Sequence, residues 1–86
     1  MKKLTPENEQ KIRKHIIRKL ARRDKWSKNS YMNVHDVADG IAAHLAGYVS
    51  DIIEELAKQE IIAYYKGKEC VYLNISKEEV RKILES

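Results

Sequence analysis

Leu45-Ala46-Gly47-Tyr48-Val49-Ser50-Asp51-Ile52-Ile53-Glu54-Glu55-Leu56 is the stretch on which the fold turns. Leu45, Val49, Ile52, Ile53 and Leu56 fall at i, i+4, i+7, i+8 and i+11, the apolar stripe of an amphipathic helix, and predict a helix over 46–59. Its outward face carries Gly47, Tyr48, Ser50, Asp51, Glu54, Glu55 and Lys58. The pattern then changes. Ile61-Ile62-Ala63-Tyr64-Tyr65 is β-branched and aromatic, Lys66-Gly67-Lys68-Glu69 reads as a turn, and Cys70-Val71-Tyr72-Leu73-Asn74-Ile75 reads as a returning strand.

Working outward, Asn33 is a good N-cap for Val34, Val37, Ala38 and Ile41, which predict a second helix over 34–42, with Gly40 as a weak point or a stop. Ala42-Ala43-His44 connects the two helices, and Tyr31-Met32 forms at most a very short strand. Further back, Thr5-Pro6-Glu7 starts a helix over 6–24 whose apolar face is Ile12, Ile16, Ile17, Leu20 and Ala21. The opposite face carries Lys11, Arg13, Lys14, Arg18, Lys19, Arg22 and Arg23. At the far end, Ser76-Lys77-Glu78-Glu79 is a capping box for a helix over 77–85, with Val80, Ile83 and Leu84 on one side.

With 86 residues, the chain is a single domain, 1–86. Its apolar content excludes wholesale disorder, and no apolar run reaches the length of a membrane span. The start Met1-Lys2-Lys3-Leu4-Thr5-Pro6 has no apolar region of a secretory signal. Cys70, the lone cysteine, excludes an intrachain disulfide and fits a reducing, cytoplasmic location. A Lys-, Glu- and Ile-rich composition with two Gln and no Phe leans toward a thermophile. The net charge of +4 is unevenly spread: residues 1–28 carry +8, 29–60 carry −5 and 61–86 carry +1. A basic first third implies an anionic partner met there.

The stretch Val34-His35-Asp36-Val37-Ala38, the helix Tyr48–Leu56, Ile61-Ile62, the turn Lys66-Gly67-Lys68 and Val71-Tyr72-Leu73 together resemble a winged helix-turn-helix domain. They are similar to small archaeal MarR- or ArsR-like transcription regulators, over about residues 31–75. Where that family has Gly between the third helix and the wing, this chain has Glu60, and the connection between helices two and three aligns with a one-residue shift. The resemblance implies an α+β fold with a three-helix core, a two-stranded wing and a short C-terminal helix. It also implies sequence-specific binding of double-stranded DNA, with the third helix in the major groove and the wing on the backbone. Carried over by position, His44, Gly47, Tyr48, Ser50 and Asp51 would face base edges, and Lys66 and Lys68 would neutralise phosphate. Lys25 and Lys28, in the loop beside Trp26, are free to reach phosphates, whereas Trp26 itself reads as a lid on the core.

Two alternatives stay open. Asp51, Glu54 and Glu55 repel phosphate, so either they point away from the phosphates or the third helix meets a basic protein surface instead. The basic first helix suits an RNA- or ribosome-associated module. A homodimer through the first and last helices is expected, since the Val80-Ile83-Leu84 stripe lies on a helix too short to stand alone. Enzyme motifs are missing: there is no phosphate-binding glycine loop, no His-Glu-x-x-His and no nucleophile elbow, and His35 with Asp39 supplies too few ligands for a metal. No cofactor is expected.

Overall fold

Thr5 starts the first helix by accepting a hydrogen bond on Oγ1 from the Asn8 amide at 3.2 Å, with Pro6 in the first turn, where no intrahelical amide partner is needed. This helix, α1, spans Pro6–Arg22 in a computed structural model that describes residues 5–27 and 29–85. It stops short of the predicted 24 because Asp24 turns into the left-handed region (φ 54°). The Asp24 amide donates to Ala21 O and the Lys25 amide to Leu20 O, the paired bonds of a Schellman motif.

Strand β1 (Met32–Asn33) leads into helix α2 (Val34–Ala38), whose first turn is capped by Asn33 Oδ1 accepting from the His35 amide at 2.8 Å. The predicted helix over 34–42 ends early, at Ala38: Asp39 is already extended (φ −62°, ψ 135°), and Gly40 adopts φ 93°. The chain turns there against α1: a Cβ on Gly40 would sit 3.2 Å from His15 Cε1. The Asp39 carbonyl accepts from His15 Nε2 at 3.0 Å and Lys19 Nζ at 2.7 Å.

The helix predicted over 46–59 is divided. A 3-10 helix covers Ala43–Tyr48, and helix α3 covers Val49–Lys58. Neither Ala42 nor Tyr48 supplies a side-chain cap, and Gly47 is a poor helix former, so the tighter turn prevails before Val49. Leu45 is half-buried, and Val49, Ile52, Ile53 and Leu56 are buried, as their spacing requires. α3 also ends in a Schellman motif: the Ile61 amide donates to Leu56 O, the Glu60 amide to Ala57 O, and Glu60 takes φ 62°.

Strands β2 (Ile62–Tyr65) and β3 (Cys70–Leu73) form the expected hairpin. The expectation of two strands is corrected: β1 pairs antiparallel with the free edge of β3, with Met32 opposite Val71 and Asn33 opposite Cys70, giving a three-stranded sheet in the order β1-β3-β2. Burial of Met32 beside the fully buried Val71 favours that third strand. Helix α4 (Lys77–Glu85) is capped by Ser76 Oγ, which accepts from the Glu79 amide at 3.2 Å.

All four helices and the sheet share one apolar core, with α1 packed against α2, α3, α4 and β3. Ile12, Ile16, Ile17 and Leu20 of α1 are at most 1% exposed. Among the described residues, no polar or charged side chain is buried. Val80 is buried and the half-buried Ile83 and Leu84 pack on the same core, so α4 meets α1 within its own chain.

Glu60 holds a backbone conformation that costs a non-glycine residue roughly 1 kcal/mol, and its side chain is exposed. Glu60→Gly is therefore expected to stabilise the domain by up to about 1 kcal/mol, seen as a rise of several degrees in thermal unfolding. An unchanged or lowered midpoint would show that the left-handed residue carries no strain.

Candidate nucleic-acid interface

The hairpin tip is short and tied down. Tyr65 and Cys70 form its last pair, and Lys66 (φ 55°) and Gly67 (φ 70°) make the reversal in consecutive left-handed conformations. The Glu69 carbonyl accepts from the Val34 amide at 2.9 Å, joining the tip to the start of α2. The tip lysines lean onto different tyrosines. Lys66 Nζ lies 4.9 Å from the centre of the Tyr31 ring, which itself packs at 4.8 Å against Tyr65. Hydrogen bonding to Tyr31 holds the Lys66 ammonium above its ordinary value, so it remains a cation at neutral pH. Lys68 Nζ lies 5.8 Å from the Tyr64 ring centre, on the partly buried side of the hairpin facing α3. Burial, and then the charge of Glu54, push the Tyr64 phenol up.

The residues expected at base edges fall into two groups. His44, Gly47 and Tyr48 lie on the 3-10 helix, whereas Ser50 and Asp51 lie in the first turn of α3. His44, Gly47, Ser50 and Asp51 are exposed, and the space around Gly47 is open. Tyr48 is half-buried and packs on the core, so it covers the core edge. Glu54 and Glu55 are exposed farther along α3.

Lys25 is half-buried, and its carbonyl accepts from the Leu73 amide at 2.7 Å, which pins the loop after α1 to β3. Lys28 lies outside the described residues. Trp26 packs on the core as expected of a lid, with Lys77 Nζ 5.9 Å from its ring centre. Its Nε1 is buried without a hydrogen-bond partner among the described residues.

The structure also gathers two residues that sequence reasoning left out of the site, Lys19 and Arg23, beside Lys25, which it included. Lys19, Arg23 and Lys25 line a cleft of about 460 Å³ together with Tyr31, Asn33 and Asp36. Lys19 and Arg23 are four residues apart and so share a face of the helix, a spacing that could have flagged them. Among the described residues, no group of His, Cys, Asp or Glu is arranged to hold a metal ion, and no helix is long and apolar enough to cross a membrane.

No protein-family model, curated protein or solved structure matches the chain.

The folded protein holds the Tyr64 proton more tightly than the unfolded chain does. The stability this phenol contributes is complete below its ordinary value of 10.0 and is lost as pH rises through the higher folded value. In an NMR titration, Tyr64 is expected to ionise above that ordinary value, and Glu54→Gln should bring it partway back. A Tyr64 titration unmoved by Glu54→Gln would remove Glu54 as a cause.

Proposed function

We propose that the protein is a winged-helix domain that binds double-stranded DNA and acts as a transcriptional regulator. The observation that carries this reading is the packing of α3 on β2 beside a hairpin tipped by Lys66 and Lys68, within the sheet order β1-β3-β2. That topology is compatible with a winged helix. Insertion by the amino-terminal end of α3 fits its charge distribution. His44, Gly47 and Ser50 stand at or before that end, where the helix dipole is positive, while Glu54 and Glu55 lie farther along. The exposed Asp51, Glu54 and Glu55 support a second reading, a winged-helix module whose α3 face meets a basic protein surface.

Titrating fluorescent duplex DNA over a range of salt tests the first reading. Binding is expected at low salt, with log K falling linearly as log salt rises. Lys66→Ala with Lys68→Ala should weaken all duplexes about equally and flatten the salt slope by up to about 2, because phosphate contacts position the protein without reading sequence. Ser50→Ala should instead change the preference among sequences. No affinity for any duplex at low salt overturns the DNA reading.

A homodimer belongs to the same proposal, because one small module touches few base pairs. The apolar stripe of α4 does not argue for it by itself, since the stripe packs on its own chain. Sedimentation at micromolar concentration should show two chains per duplex; a 10.1 kDa species alone and a complex with one chain per duplex remove the dimer.

A further inference from the structure

The positive charge of this domain is not concentrated on α3. Going along α1, cations occur at Lys11, Arg13, Lys14, Arg18, Lys19, Arg22 and Arg23, and Lys25 follows. Several stand four residues apart on one face, an arrangement that costs an isolated helix about 0.2–0.5 kcal/mol per like-charged pair. The helix dipole compensates for such charges only in the last turn. Lys19 and Arg22 stand in that turn and Arg23 caps it, so the dipole accounts for these three but not for Arg18 or Lys25.

All five share one setting. The cleft lined by Lys19, Arg23 and Lys25 shares Lys19, Arg23 and Asp39 with a neighbouring cleft of about 340 Å³ that Arg18 and Arg22 also line. The two adjoin as a trough crossed by the Lys19 Nζ–Asp39 O hydrogen bond of 2.7 Å, with the carboxyl-terminal half of α1 as one wall and β1, α2 and the Gly40 turn as the other. Five cations line it against two carboxylates, Asp36 and Asp39. Asp39 neutralises little: its carboxylate is 88% exposed and lies 4.0 Å from Lys19 Nζ. The trough also continues to the hairpin. Tyr31 lines it and carries Lys66 over its ring, so the tip lysine and the α1 cations stand on one surface.

We infer that this trough is a phosphate-backbone site: the domain grips duplex DNA along α1 and β1 together with Lys66, in addition to any contact made by α3. The inference rests on the DNA-binding reading above and adds the surface that supplies much of the affinity. The recess and its cations suit a strand of phosphates. Arg18 and Arg22, and likewise Lys19 and Arg23, repeat along the wall at intervals of about one helical turn, ~5–6 Å. Lys68 leans the other way, toward Tyr64, where Glu54 also acts on the phenol. Of the two tip lysines, Lys66 is therefore the stronger phosphate contact.

The same salt titration on further variants tests this. Arg23→Gln with Lys25→Gln is expected to lower affinity for every duplex at least tenfold and to reduce the salt slope by about 2, near 0.9 for each phosphate left without its cation. Arg18→Gln with Arg22→Gln should act in the same direction from positions away from the loop, which keeps the test open if the first pair disturbs the segment pinned by Leu73. Lys66→Ala alone should weaken binding more than Lys68→Ala alone. Arg81→Gln with Lys82→Gln, on the exposed face of α4, should leave affinity and slope unchanged. If the wild type binds duplex and both α1 pairs, folded by circular dichroism, bind as it does, the trough is not the site and the DNA reading survives. If the wild type binds no duplex at low salt but binds structured RNA through the same cations, both the DNA reading and this duplex assignment fall.

Discussion

Everything in this domain leans on the apolar stripe of α1. Ile12, Ile16, Ile17 and Leu20 are essentially without solvent exposure, and the helix that carries them is the element that α2, α3, α4 and β3 all pack against. Burying an aliphatic side chain of this size contributes about 1.5–3 kcal/mol, so four on one helix are a large share of what a domain this small has available. α1 cannot shift without opening several interfaces at once. Its polar face is held just as firmly, through His15 and Lys19 on the Asp39 carbonyl and through the Lys25 carbonyl on β3. A helix held in this way fixes the backbone positions from which its cations project.

The separation of roles is correspondingly sharp. The core is apolar throughout the described residues, and the charges stand at the surface. The chain then sorts them by sign: basic along α1, acidic along α3 and the turn before β2. Interior packing does not impose that sorting. A uniform mixture of signs would serve solubility as well.

The helices were legible because their signal is local: a buried stripe repeats every turn, and Thr5, Asn33 and Ser76 mark three starts by side-chain caps that form as expected. The hairpin was legible for the same reason, with Lys66 and Gly67 taking the left-handed conformations that the reversal needs. Glu60 takes the left-handed conformation after α3 without the glycine that would have marked it in the sequence. What escaped was nonlocal or too short to repeat. Two residues, Met32 and Asn33, have no period, and their partner lies across the chain in β3. The split before α3 depended on missing caps beside Gly47, a balance that apolar spacing does not record. The trough was missed because its two walls come from separate segments, and because cations at the end of a helix already have an explanation in the helix dipole.

The order of strands in the sheet differs from their order along the chain, and this bears on how the protein comes to be folded. β1 and β2 each pair only with β3, which is synthesised last and lies between them. Until β3 emerges, the earlier strands have nothing to pair with in this sheet, and the carbonyl after α1 lacks the Leu73 amide that will hold it. Helices α1, α2 and α3 can form and collapse on one another beforehand, since their contacts do not wait for the hairpin, whereas α4 follows β3. Assembly of the sheet is therefore a single late closure that joins residues some forty positions apart, Met32 to Val71, and aligns the two walls of the basic trough as it does so.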